Sequence, residues 1–153
     1  MRHPALIPLS RDHRHALALA LRCRKQALGQ LKPLGQEGLR ERAREARDFF
    51  SLHLATHFHA EEAGLFPMME SLAAESAPLI GRLKQEHERL RSLVAAMEAS
   101  EGLGKLLFEF GDLLEGHVRR EERELFPLFE TRIGESEADA IGHRIKALLA
   151  GHG

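Results

Sequence analysis

Apolar residues recur along this chain every three or four positions in four long runs and a shorter fifth, the spacing of amphipathic helices rather than strands. The first run predicts a helix from about Ser10, a good N-cap residue, to about Leu28, with Leu9, Ala16, Leu17, Ala20, Leu21, Ala27 and Leu28 on its apolar side. Pro33 and Gly35 in the stretch LKPLGQ end it. A second helix is predicted from near Glu37, carrying Leu39, Ala43, Ala46, Phe50 and Leu54, until Pro67, which has no backbone N–H and is expected to stop or kink it before a loop reaching Ser76. Ser76 and Pro78 open a third helix whose face is Leu79, Leu83, Leu90, Val94 and Met97, ending before Gly102. A fourth runs from about Leu103 through Leu106, Phe110, Leu113, Leu114, Leu125 and Leu128. Gly134 then breaks the chain, and Ser136 with Asp139 suggests a capping box for a last helix bearing Ile141, Ile145, Leu148 and Leu149. The expected fold is all-α: an up-down-up-down four-helix bundle with a short C-terminal fifth helix, one domain over residues 1–153.

Composition narrows the function more than the fold. Lys and Arg number 22 against 23 Asp and Glu, with both signs interspersed, so charge gives no support to a nucleic-acid or membrane-surface role. No apolar run approaches membrane-spanning length, and the proline-broken N-terminus lacks the apolar core of a signal peptide. Cys23 is the only cysteine and reads as a small helix residue beside Ala20 and Ala27; no internal disulfide is possible, which suits the cytoplasm.

The chemistry lies in a repeat. The stretch HFHAEEAGLFP begins at His57 and HVRREERELFP at His117, two copies of HxxxEExxLFP. Each apolar stripe is also interrupted by a histidine where a core leucine is expected: His13, His57, His87 and His117 on the four helices in turn. Glu61 and Glu121 follow one turn after His57 and His117. In an antiparallel bundle, residues on neighbouring helices share a height when the loop between them is centred midway in sequence. The midpoints fall at positions 35, 72 and 102, each within an interhelical loop, so the four histidines are expected in one layer. The glutamates lie about 6 Å along the axis, within side-chain reach.

Six buried titratable groups without partners would be costly, and a cation removes the cost. Imidazole and carboxylate donors suit iron, manganese or zinc. Six ligands exceed the needs of one tetrahedral zinc but match two metals bridged by two carboxylates, each metal also held by two histidines.

The order His, HxxxE, His, HxxxE over four helices, from His13 to Glu121, resembles the hemerythrin-like (HHE cation-binding) family. The resemblance implies a four-helix bundle holding a non-haem di-iron centre with an oxo or hydroxo bridge. By position it makes His13, His57, His87 and His117 iron ligands and Glu61 and Glu121 bridges, with dioxygen, nitric oxide or peroxide as the interacting molecule. Oxygen-carrying relatives place a second histidine one turn along the third helix, where this chain has Arg91. The set of four histidines and two glutamates is instead similar to di-iron repair-of-iron-centres proteins and to an iron-sensing F-box hemerythrin domain. Redox turnover or sensing is thus expected over simple oxygen carriage. An iron-storage or iron-sensing module and a non-redox zinc or manganese bundle acting as an interaction protein stay open.

The other histidines carry less. His15 and His59 sit about 200° around their helices from the neighbouring ligand positions and are expected to face water. His53, one turn before His57, is expected as a hydrogen-bonded core residue; His3, His143 and His152 follow no pattern. Glu62 and Glu122 are expected either to orient ligands or to be solvated. Phe66 and Phe126 are expected to pack in the core and shield the site, with LFP acting as a helix stop.

Overall fold

The computed structural model describes residues 1–151, so His152 lies outside the described residues. A short 3₁₀ turn, Pro4–Leu6, leads into α1, Ile7–Ala27. Helix α2 is continuous through Gly35–Phe49, Phe50–Leu54, Ala55–Ala60, Glu61–Leu65 and Phe66–Leu72, the second and fourth of these being wider π segments. After the 3₁₀ turn Ala74–Ser76 comes α3, Ala77–Ala96. Helix α4 joins Leu103–Arg120, a π segment Glu121–Leu125 and Phe126–Arg132, and α5 is Glu135–Leu149. No strand occurs among the described residues, and the helical bundle expected from the apolar periodicity is the fold observed.

The two prolines of the LFP sequences do not stop their helices. A proline inside a regular α-helix leaves a carbonyl without its N–H and collides with the turn before it. Here each proline is the second residue after a π segment, where the Phe66 N–H bonds Glu61 O and the Phe126 N–H bonds Glu121 O, five residues back. The widened turn takes up the misfit, so LFP marks a π segment in a longer helix. Both helices end about one and a half turns later, leaving a shorter connection to Ser76 than expected.

Helix starts also differ from expectation. Ser10 lies inside α1, whose N-cap is Leu6, and its hydroxyl donates to Glu122 instead. Gly134, not Ser136, precedes α5; Asp139 is likewise inside the helix, and no side chain caps it. On α1 the core is carried by Leu9, Ala16, Leu19, Ala20 and Cys23, while Leu21 and Leu28 are exposed. At 100° per residue those two leucines fall more than 90° from the buried face, beyond the reach of a stripe.

The interior divides into two apolar clusters with a polar layer between them. One, around Phe66, Met69, Phe126 and Phe129, includes Ile141, Ile145 and Leu148 of α5. The other, around Phe58, Leu90, Phe110 and Leu114, fills the opposite end. Close approach is required where α1 meets α4: a Cβ on Gly111 would stand 2.5 Å from the Ala20 carbonyl oxygen. The buried histidines and glutamates lie between these clusters, on the middle turns of all four long helices.

Candidate metal centre

His13, His57, Glu61, His87, His117 and Glu121 are all buried, both glutamates completely. The imidazole rings of His13 and His57 are 5.0 Å apart and those of His87 and His117 are 4.8 Å apart, so the histidines meet in one layer. Donor atoms fall into two groups of four. One contains His13, His57, Glu61 and Glu121, the other Glu61, His87, His117 and Glu121, each with its ligand atoms within 4.8 Å of one another. Both glutamates belong to both groups.

The outer nitrogen of every histidine is committed to a carboxylate on the next helix around the bundle. Nδ1 of His57 donates to Asp12 at 3.0 Å, Nδ1 of His87 to Glu62 at 2.6 Å, Nδ1 of His117 to Glu86 at 2.8 Å, and Nδ1 of His13 to Glu122 at 2.7 Å. A carboxylate that accepts from Nδ1 fixes the orientation of the ring and aims Nε2 inward. Glu62 and Glu122 therefore orient ligands. Asp12 and Glu86 do the same and escape a search by ligand stripe, because each directly precedes an inward histidine, about 100° off its face. Their signal is regular: an acidic residue stands just before the histidine on α1 and α3, and just after the inward glutamate on α2 and α4.

Arginines clamp part of this ring. Arg91 holds Glu62 at 3.0 Å and lies over the Phe58 ring, Arg2 holds Glu122 at 3.0 Å and lies over Phe126, and Arg120 holds Glu86 at 2.5 Å. Arg91, one turn after His87, thus stabilises the carboxylate behind that histidine. Phenyl rings close the layer: Phe58 stacks on His87 at 3.8 Å, Phe66 lies on the same ring at 5.7 Å, and Phe126 stacks on His13 at 5.6 Å.

Towards the centre the polar atoms are badly satisfied. His87 Nε2 is hydrogen-bonded to Glu61 at 3.0 Å. His13 Nε2 lies 2.8 Å from Glu121 without hydrogen-bond alignment, and His57 and His117 approach Glu61 and Glu121 at only 3.4 and 3.5 Å. Nε2 of His13 and His117, Oε2 of Glu61 and both oxygens of Glu121 have no hydrogen-bond partner. Burial raises the Glu121 carboxyl, and the neighbouring Glu61 charge raises it further. Burial acts the same way on Glu61, but His57 foremost among its neighbours holds it well below the usual range. For His57 and His87, burial alone would favour the neutral ring. Glu61 outweighs it, carrying His57 to about 10 and His87 to about 9. Converging ring nitrogens, orphaned buried oxygens and two adjoining carboxylates form a cluster that fits cations.

The remaining histidines stand apart. His15, His53 and His59 are exposed. His53 is not in the core, because the buried side of this part of α2 is centred on Leu54, Phe58 and Glu61. His57 sits on its flank, and a step back of four residues turns a further 40° outward. His3 approaches Glu135 and Asp139 at the surface, but its Nδ1 accepts the Ala5 N–H, so Nε2 carries the proton that it gives to Glu135 and has no lone pair for a metal.

No curated protein and no solved structure matches the chain significantly. The family model of the hemerythrin HHE cation binding domain matches residues 8–129, from the first turn of α1 to the last of α4, and so takes in the whole His and Glu layer. The chain belongs to the hemerythrin HHE cation-binding domain family.

Proposed function

We propose that the two donor groups hold a pair of iron ions bridged by Glu61 and Glu121, and that the loaded protein interacts with dioxygen, nitric oxide or peroxide in redox response or sensing in the cytoplasm. The observation that supports this reading is the sharing of both glutamates between two groups that each add two histidines. Six donors with two of them held in common suit a bridged pair better than one tetrahedral ion. A reduced iron pair supplies electrons to such small molecules, which the side chains alone cannot do.

The chain's own residues prepare that chemistry. Asp12, Glu62, Glu86 and Glu122 hold the imidazoles with Nε2 directed inward, where a bound cation would take the place of the Nε2 proton. Phe58, Phe66 and Phe126 exclude water from the layer, strengthening every charge interaction within it. The test is to load purified protein anaerobically with ferrous iron, measure the iron content, and record optical spectra before and after dioxygen and nitric oxide. Two irons per chain and a new visible band are expected, and His57→Ala with His117→Ala should abolish both. A colourless protein that prefers zinc would overturn the redox reading.

A further inference from the structure

Four carboxylates fix the four histidines, but only three are themselves fixed. Arg2 and Ser10 hold Glu122, Arg91 holds Glu62, and Arg120 holds Glu86. Asp12 has His57 as its only polar partner among the described residues. Its side chain is also the most exposed of the four, at 37% against 27, 31 and 9% for Glu122, Glu62 and Glu86. The aromatic rings do not separate the two groups: His87 and His13 are each stacked by a phenyl ring, and His57 and His117 each meet Phe58 edge-on, at 6.3 and 5.8 Å, so the difference lies in the carboxylates. Both histidines of the His87 and His117 group therefore stand on clamped carboxylates, and His57 is the least braced ligand of the other group.

Asp12 also lines a surface cavity of about 390 Å³, with His15, Ala18, Arg22, Phe49 and His53. Arg22 is turned to Glu45 and held there. A shallower groove shares Phe49 and His53 and brings Glu41, Glu45 and Asp48 against one arginine, Arg44. One carboxylate and two exposed imidazoles at an opening offer the oxygen and nitrogen donors that a divalent first-row cation accepts. These residues are too exposed and too few to compete with the buried layer.

We propose that the His13 and His57 position is the exchangeable half of the site, and that the Asp12 cavity, with His15 and His53 as transit ligands, is the port through which its divalent cation enters and leaves. This rests on the reading that the layer holds two cations. His57, tethered by the one carboxylate that no arginine clamps, is the ligand that turns aside.

The test uses the full chain saturated anaerobically with ferrous iron and mixed with excess chelator whose iron complex absorbs visibly. Two irons per chain should be released in two phases of equal amplitude. His15→Ala with His53→Ala should slow the fast phase several-fold, leaving the slow phase and the total unchanged, and His59→Ala, at an exposed position outside the cavity, should change neither. Asp12→Asn should speed the fast phase about tenfold, since loss of such an orienting carboxylate weakens a metal site by that order. Release of two irons in a single phase, or an unaltered fast phase in the double-histidine variant, would overturn the port while leaving the two-cation reading intact. A saturated load below two irons would overturn that reading and the port with it.

Discussion

Residues 57–67 of α2 and 117–127 of α4 set down the same objects in the same order: an inward histidine, an inward glutamate one turn later, a π segment, a buried phenylalanine and a proline. Their electrostatic states nonetheless differ. Glu61 accepts a hydrogen bond from His87 and is held well below the usual carboxylate range, whereas neither oxygen of Glu121 has a hydrogen-bond partner and its carboxyl is raised. A repeated sequence therefore places two like glutamates, but the buried cluster without a cation supports one full negative charge more readily than two.

The largest expected effect tests whether the packing of the copies is equal. Phe66 and Phe126 are both fully buried against an inward histidine, so Phe66→Ala and Phe126→Ala should each destabilise the metal-free protein by about 3–5 kcal/mol in urea unfolding. A much milder loss in one would show that the copies differ in packing as well as charge. Next come the glutamates themselves. In metal-free protein near neutral pH, Glu61→Gln removes the charge facing His57 and His87 and should cost about 3 kcal/mol, as breaking a buried pair does. Glu121→Gln replaces the carboxyl that least favours ionisation and should be nearly neutral. Equal losses in the two variants would end the proposed inequivalence.

A smaller effect asks whether the orienting carboxylates of the copies are interchangeable. Glu62 and Glu122 each hold one histidine and one arginine, so Glu62→Gln and Glu122→Gln should both weaken iron binding by about 10–100-fold in anaerobic titration. Paired Arg91→Gln and Arg2→Gln variants should reproduce part of each loss.

The fold and the inward layer were legible because burial imposes a period on sequence. Histidines at leucine positions, with interhelical connections close to the midpoints between them although positions 35 and 72 are themselves helix ends, place His13, His57, His87 and His117 together without knowledge of any contact. What stayed hidden depends on relations that periodicity does not encode. Asp12 and Glu86 lie off the stripe and gain meaning only from which neighbouring helix they face. Pro67 and Pro127 read as stops because a π segment has the same local composition as a helix and differs by one residue per turn. His53 was misplaced because the centre of the buried face runs through Leu54 and Phe58 rather than through His57.

The smallest and most gradual effect is on pH, and it separates the copies once more. His57 and His87 are raised from 6.5 to about 10 and about 9, since Glu61 outweighs the opposing effect of burial. A histidine raised on folding contributes stability that is complete below its unfolded value and lost as pH climbs through the folded one. Metal-free protein should therefore become less stable from about pH 6.5 towards 10. On the acid side Glu86 falls from 4.5 to about 2, because His117 and Arg120 overcome burial, so its contribution is present above 4.5 and fades as pH drops towards 2. Bound iron needs neutral imidazoles, so loading should release protons and flatten the alkaline decline while leaving the acid one. Thermal midpoints measured across pH, with and without ferrous iron, read both. Glu61→Gln should remove most of the alkaline decline in metal-free protein and Glu121→Gln much less, because Glu61 supplies the leading attraction to both histidines. A decline that persists unchanged with iron bound would mean that His57 and His87 remain protonated and hold no metal.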